Sequence, residues 1–336
     1  MDSVSNLLKK GWINKNRPGV VLAPMEGVTD APMRALLSEH SPYLFCVTEF
    51  LRVTHLAPPT KVFYRHIPEL KTQSLTANDT PVLVQLLGGD AQVLAEAAQT
   101  AVQLGARGID LNFGCPAPTV NRHDGGATLL KYPKRLLDIT SAVRKAVPAE
   151  ISVSVKLRLG WDNPDDIFKN VDAVLAAGVS WITIHARTRM QGYAPPVSWQ
   201  HIKEVARQAP VPIVANGDIW NFSDFLRCHE ITECKHFMIG RGALGNPWLA
   251  HQMTHYLNTG SPPTDLFSPT TPADWNPLIQ RFWALGESQS SKPEYFTRRI
   301  KQWIKMASLK KEMSWFHQLK HCQTHNETLN LFQSAQ

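Results

Sequence analysis

Short apolar runs alternate with longer segments of helical pattern up to residue 240. The helical segments, such as residues 91–104, 132–147 and 164–177, have apolar positions three and four residues apart. Strands that alternate with helical crossovers pair in parallel, and eight such units in about 250 residues predict a TIM (β/α)8 barrel, an α/β fold. The eight predicted strands are residues 20–23, 44–49, 82–87, 108–111, 151–159, 181–185, 212–216 and 237–240.

Each predicted strand ends in a polar or conformationally special group. In a TIM barrel the catalytic groups gather at the carboxyl ends of the strands, so we predict that these groups share one mouth. The strand period of two supports this, because Lys156 alternates with Val155 and Leu157 and would point into the barrel. The groups are Pro24, Met25, Glu26, Glu49, Gln85, Asn112, Lys156, His185, Asn216, Gly240 and Arg241.

A thiol follows the fourth predicted strand, within the stretch GIDLNFGCPAPTVNRHDGG at residues 108–126. Gly114 and Pro116 break regular pairing, so we expect the Cys115 side chain to be exposed in a loop. An unperturbed thiol, with a pKa of about 8.5, can donate a proton or act as a nucleophile, and the residues alone leave both roles open. A structural cysteine buried under a turn is the other interpretation.

Glycines follow the last two predicted strands, in Asn216-Gly217-Asp218 and in Gly240-Arg241-Gly242. Loops at these positions form the usual phosphate site of the fold, because glycine lets backbone N–H groups approach an anion. A phosphorylated ligand is therefore predicted. Together with an inward lysine, a glutamine and a thiol, the phosphate site suits flavin mononucleotide (FMN).

The composition is that of a soluble protein of 336 residues, with 43% hydrophobic and 19% charged residues. Five cysteines without a C-x-x-C pair indicate a reducing cytoplasm. No apolar run approaches the roughly 20 residues that span a bilayer. Residues 1–18 are polar and basic, and we expect a disordered tail there rather than a secretory signal.

A proline-rich segment, residues 258–274, is predicted to link a barrel at residues 19–257 to a helical domain at residues 275–336. Much of the net charge of +7 lies in this last domain. Arg298, Lys301 and Lys305 fall on one helix face, which indicates either a surface for a polyanion or a solvated face. His317, His321 and His325 are spaced four residues apart, but no carboxylates or Cys pair accompany them, so no metal is predicted.

Six motifs follow one another along the barrel: APMEGVTD at 23–30, LNFGCP at 111–116, VKLRLG at 155–160, IHART at 184–188, ANGDI at 215–219 and MIGRGA at 238–243. They occur in the order found in tRNA-dihydrouridine synthases, and the chain resembles that family across the whole barrel. Two further segments, TEFLRV at residues 48–53 and RIKQW at residues 299–303, look most like the bacterial C-type branch, which modifies uridine 16 of the D loop.

The resemblance implies that NADPH reduces bound FMN, that hydride passes to C6 of a tRNA uridine, and that Cys115 protonates C5 to give 5,6-dihydrouridine. It implies a tRNA partner, and we expect a cytoplasmic monomer without an obligate protein partner. Asn112 and Tyr193 would contact the flipped base, and Arg52, Arg298, Arg299 and Lys301 would contact the tRNA. The residues implied to hold FMN are Pro24, Met25, Glu26, Gln85, Lys156, His185, Asn216, Gly217, Asp218, Gly240 and Arg241.

Three alternatives stay open at this point. An FMN barrel acting on a free pyrimidine, as in dihydroorotate dehydrogenases, would have no need of the basic helical domain. A Schiff-base aldolase using Lys156 would be colourless. A tRNA-binding protein without catalysis would have no need to keep Cys115, Lys156 and Arg241.

Overall fold

Eight parallel strands close into a barrel in the computed structural model, which describes residues 12–13, 17–287 and 293–333. The ring closes where the second strand pairs with the strand at Val82–Leu87, so the predicted TIM barrel is confirmed. A two-residue strand that the sequence did not predict, Leu51–Arg52, pairs with the end of Val82–Leu87. The strands are β1 Gly19–Leu22, β2 Phe45–Val47, β3 Leu51–Arg52, β4 Val82–Leu87, β5 Gly108–Asn112, β6 Ser152–Arg158, β7 Ile182–His185, β8 Ile213–Asn216 and β9 His236–Ile239.

Strand register brings the predicted polar ends to one level. Asn112 at the end of β5 lies opposite Lys156 of β6, and His185 at the end of β7 lies opposite Asn216 of β8. On β6, Val155 and its apolar neighbours pack under the surrounding helices, so Lys156 faces the barrel interior as its position predicted.

Helices follow most strands and cover the outside of the barrel. Their starts are fixed locally, as at Asp90, whose carboxylate accepts a hydrogen bond from Val93 N at 3.0 Å. The three helices predicted from periodicity are confirmed to within two residues at each end. The barrel helices are α1 Ala31–His40, α2 Thr60–His66, α3 Ala91–Gln103, α4 Pro118–Asn121, α5 Pro133–Ala146, α6 Asp166–Ala176, α7 Trp199–Gln208, α8 Phe222–Thr232, α9 Arg241–Gly245 and α10 Leu249–Thr259.

The amino-terminal floor of the barrel is filled by aromatic side chains. Trp12 packs edge-on against Phe45, and Phe45 packs against Trp181. The Trp12 indole donates to Arg107 O at 3.3 Å. Trp12 and Ile13 are thus buried, which corrects the expected disorder for these two residues, while residues 1–11 and 14–16 lie outside the described part.

Four further helices pack against the barrel at the carboxyl end of the chain. Residues 260–271 connect α10 to α11, inside the linker predicted at 258–274. Trp303 is fully buried against Trp275, and its indole donates to Leu244 O at 3.0 Å, so the added helices are tied to α9. These helices are α11 Pro272–Gly286, α12 Pro293–Ala307, α13 Phe316–His321 and α14 His325–Gln333.

Candidate active site

A cavity of about 740 Å³ opens at the carboxyl ends of the strands. Its walls combine the loops after the strands with Met306 of α12 and Leu309 of the short turn that follows α12. The sequence did not predict that these two residues line the cavity. A volume of this size lies within the usual range for cofactor sites. The predicted site residues that line it are Pro24, Met25, Glu26, Asn112, Cys115, Lys156, His185, Tyr193, Asn216, Gly217, Asp218, Gly240 and Arg241.

The Cys115 loop is held by its neighbours. The Asn112 side-chain oxygen accepts hydrogen bonds from Gly114 N and Cys115 N, both at 3.0 Å. Arg158 fixes the same loop by donating to Gly114 O at 2.9 Å. The thiol is half-buried rather than exposed, and burial raises the pKa of Cys115, so it is protonated at neutral pH. This geometry suits a proton donor better than a thiolate nucleophile.

A buried polar network lies below this loop. Gln85 donates to the Asp110 carboxylate at 2.7 Å and accepts from the Asn112 amide at 2.9 Å. Ser154 donates to the other Asp110 oxygen at 2.6 Å, and burial raises the pKa of Asp110. Gln85 is therefore part of the network that orients Asn112. Sequence reasoning missed Asp110, although its alternation with Leu111 placed it inside the barrel.

Lys156 and His185 form the middle of the cavity wall. Lys156 Nζ donates to the Asn216 side-chain oxygen at 3.0 Å. Burial, followed by the charge of Arg158, lowers the pKa of Lys156 to about 8. Burial and the surrounding cations hold the pKa of His185 well below its usual value, so the imidazole is neutral. Its Nδ1 atom is buried without a hydrogen-bond partner among the described residues, which leaves it free for a bound molecule.

Glycine and arginine form the end of the cavity after β8 and β9. Gly217 has a φ of +117°, and a Cβ on Gly240 would lie 3.0 Å from the Met25 sulfur, so both positions favour glycine. The Arg241 guanidinium lies 4.6 Å from the Tyr193 ring and 4.2 Å from the Trp220 ring. The aromatic rings therefore fix an arginine at the end where a phosphate was predicted.

The Asp218 carboxylate lies beside Arg241 and helps to orient it. The carboxylate is paired with Arg187 and lies 3.5 Å from Arg241. Burial alone would raise the pKa of Asp218, but the hydrogen bonds and charge of Arg187 outweigh it and the pKa is lowered. Asp218 therefore remains an anion that orients two arginines. Arg187 is buried within the motif at residues 184–188, and its role was not predicted.

A second acidic group stands at the rim. Glu26 lines the cavity, and its partial burial, together with the nearby Glu49, raises the pKa of Glu26 to about 7. Glu49 accepts a hydrogen bond from Val28 N at 3.1 Å, so it also supports the loop that carries Glu26. Glu26 thus changes charge close to neutral pH.

The residues predicted to contact tRNA separate into exposed and structural groups. Arg52 and Arg298 are exposed, and Arg52 reaches Thr119 O near the Cys115 loop at 3.3 Å. Lys301 donates to Lys320 O at 3.0 Å and to the Cys322 carbonyl, so it caps the end of α13. Two of the hydrogen bonds that the Lys301 ammonium group can donate are therefore used within the fold.

Arg299 differs most from its predicted role. Its side chain is buried, and it donates to Gly27 O at 2.7 Å, to Val28 O at 2.6 Å and to the Asp30 carboxylate at 2.8 Å. The prediction that Arg299 faces the tRNA is wrong because its guanidinium satisfies barrel carbonyls that would otherwise be unpaired. It ties α12 to the loop between β1 and α1.

Neither a metal site nor a membrane span is found in the part of the chain that the structure describes. No three His, Cys, Asp or Glu side chains there lie close enough to hold an ion. His325 stacks on Trp283 instead, with ring centroids 3.6 Å apart. None of the described helices is both long and apolar enough to cross a bilayer.

Active sites of TIM barrels lie at this end of the barrel, and the cavity found there defines the chain as a TIM-barrel enzyme. Comparison with known proteins is more specific. The chain belongs to the dihydrouridine synthase family, since the model of that family, "Dihydrouridine synthase (Dus)", matches residues 21–336. It is an enzyme of this family, as its six motifs predicted.

Curated relatives match along most of their length. The chain is 42% identical to the tRNA-dihydrouridine(16) synthase of Shewanella oneidensis over 321 residues, covering 94% of this chain and 98% of that protein. It is 46% identical to the protein of the same name from Pasteurella multocida, covering 85% and 88%. The protein of that name from Neisseria meningitidis is 39% identical, covering 89% and 88%.

A solved structure supports the barrel fold. Histamine dehydrogenase from Rhizobium sp. 4-9 superposes with a TM-score of 0.53 at 13% identity, covering 79% of this chain. This chain spans about half of that protein, 48%. At this identity the likeness concerns the fold alone.

Proposed function

We propose that the protein reduces the C5–C6 double bond of uridine 16 in the tRNA D loop to 5,6-dihydrouridine, using FMN and NADPH. Relatives at 39–46% identity bear the name tRNA-dihydrouridine(16) synthase, which supports this substrate. The observation that carries the mechanism is the protonated Cys115 thiol, held by Asn112 in the same cavity as a lysine and an arginine.

The residues of the cavity fit FMN. Gly217 and Gly240 line the same end of the cavity as Arg241, where the sequence predicted a phosphate, and the unpaired Nδ1 of His185 offers a hydrogen bond to the ring system. Lys156 supplies a positive charge below its pKa of about 8. When bound and reduced by NADPH, FMN supplies the hydride that the uracil ring accepts at C6.

The chain itself supplies the proton. In our proposal the Cys115 thiol donates its proton to C5 of the uracil. Because burial raises the pKa of Cys115, the proton remains on sulfur at neutral pH until it is transferred to the uracil. Asn112 fixes the position of the thiol through the backbone N–H of Cys115, and Arg158 holds the preceding carbonyl.

The tRNA reaches this cavity with one uridine turned out of its stack. Arg52 and Arg298 are exposed and can neutralise phosphates without reading bases. Tyr193 is 57% exposed at the mouth, with its ring 6.3 Å from the His185 ring, and we assign it to the flipped base. Residues 275–336 act as the tRNA-binding domain in this proposal, and a cytoplasmic monomer remains our prediction.

An absorption spectrum followed by anaerobic reoxidation tests this function. The purified protein should show flavin bands at about 370 and 450 nm, which NADPH bleaches and unmodified tRNA restores. A tRNA with uridine 16 replaced by cytidine is the control and should leave the flavin reduced. A colourless protein that FMN does not reconstitute would contradict the proposal.

A further inference from the structure

One exposed leucine lies at the rim of the cavity. Leu309 belongs to a short 3₁₀ turn, Ser308–Lys310, that follows α12. Its side chain is 52% exposed and yet lines the cavity, as does Met306 one turn earlier. Apolar surface therefore runs from the cavity to the outside of the protein at this point. A single exposed leucine is common on proteins, so its surroundings decide its meaning.

The backbone around Leu309 is fixed on both sides. Before the turn, Ala307 is buried, and Ser308 Oγ donates to Lys305 O at 3.0 Å. After the turn, Lys311 Nζ donates to Ser268 Oγ at 2.8 Å and to Pro269 O at 2.5 Å. The leucine thus projects from a rigid support instead of a loose chain end.

Positive charge flanks the leucine. Lys310 is the next residue, and Lys305 lies four residues earlier; both side chains are exposed. An apolar projection between two cations matches an RNA strand, in which bases alternate with phosphates along the chain. A base that moves into the cavity loses its stacking contacts, and an apolar side chain at the rim can replace one of them.

We propose that Leu309 is a wedge that packs against the base next to the target uridine and holds the stack open while the uridine occupies the cavity. Lys305 and Lys310 bind the flanking phosphates. The inference rests on the proposed function, because it requires a uridine in RNA as substrate. It makes Leu309 a positioning residue, since it acts on the neighbour of the reacting base.

The test compares Leu309→Ala with Leu266→Ala. Leu266 lies between α10 and α11, is exposed to the same extent at 53%, and is not among the residues that line the cavity. Both variants should melt as the wild type does. We expect Leu309→Ala to lower kcat/KM for tRNA by about tenfold, the size of one lost base contact, and Leu266→Ala to leave it unchanged.

A fluorescent base distinguishes a wedge from a general loss of fit. Unmodified tRNA with 2-aminopurine beside uridine 16 is mixed with the Cys115→Ala protein, which cannot complete the reaction. We expect fluorescence to rise as the neighbour leaves its stack, and to rise less when Leu309→Ala is added to the same protein. Equal signals, or equal kcat/KM for Leu309→Ala and an active wild type, overturn the wedge alone. A wild type that forms no dihydrouridine overturns the proposed function and the wedge with it.

Discussion

Replacing Arg299 by methionine should destabilise the protein, whereas the same change at the adjacent Arg298 should not. The two arginines are neighbours on α12 but have opposite surroundings. Arg299 is 6% exposed and joins α12 to Gly27, Val28 and Asp30, while Arg298 faces solvent. Arg299→Met keeps most of the side-chain volume and removes every hydrogen bond.

The loss of stability in Arg299→Met follows from the groups that lose the guanidinium, namely the Asp30 carboxylate and two backbone carbonyls. Removing one partner from a buried ion pair costs about 3–5 kcal/mol. We take about 3 kcal/mol, the low end, because Asp30 is 18% exposed and keeps a hydrogen bond from the Tyr295 hydroxyl at 3.3 Å. The unfolding entropy of a chain of 336 residues is about 0.7 kcal/mol/K, so Tm should fall by about 4 °C.

Thermal unfolding monitored by circular dichroism measures this difference. Arg298→Met should keep the wild-type Tm and weaken tRNA binding, with a shallower dependence of affinity on salt. The Tm of Arg299→Lys should lie between those of the wild type and Arg299→Met, because lysine keeps the charge but lacks the planar guanidinium that reaches two carbonyls. The reasoning is refuted if Arg299→Met melts at the wild-type temperature, or if Arg298→Met lowers the Tm by as much as Arg299→Met does.

The remaining predictions concern the cavity. The pKa of Glu26 is about 7 in the folded protein against its usual 4.5, so the folded state binds this proton more tightly. The stability of the wild type should therefore fall as pH rises between these values. Urea unfolding at about pH 5 and about pH 8 should show a smaller difference in free energy of unfolding for Glu26→Gln than for the wild type. Gly242→Ala should cost about 2 kcal/mol, because its Cβ would lie 2.3 Å from Ile219 O. Gly245→Ala, whose nearest contact is at 3.6 Å, should be neutral, and equal Tm values for the two variants would contradict this account. Cys115→Ala should keep bound flavin and tRNA affinity but lose turnover, and an active variant would exclude the thiol as proton donor.

The barrel could be predicted because its strands are buried on both faces and read as apolar runs between amphipathic segments. The short strand Leu51–Arg52 was missed because two residues carry no periodic signal. Most of the cavity lining was also predictable, since parallel strands bring their carboxyl ends to one mouth. Asp110 could have been found by the same count that placed Lys156 inside the barrel.

The role of Arg299 was also within reach of the pattern. It lies three residues after Phe296 and four before Trp303, on the stripe that the helix buries. A charged residue on such a stripe indicates a buried partner rather than a free surface. The contribution of Leu309 to the cavity was not predictable, because it depends on how α12 docks on α9 and no local pattern encodes that contact.

The aromatic floor under the barrel has a kinetic consequence. With Trp12, Phe45 and Trp181 filling the amino-terminal end, a nicotinamide donor and a tRNA would have to reach the flavin through the same opening. Because both substrates use one opening, they bind one after the other, and the oxidised nicotinamide leaves before the tRNA enters. Initial rates measured at several tRNA concentrations should then give parallel double-reciprocal lines, the pattern of a ping-pong enzyme.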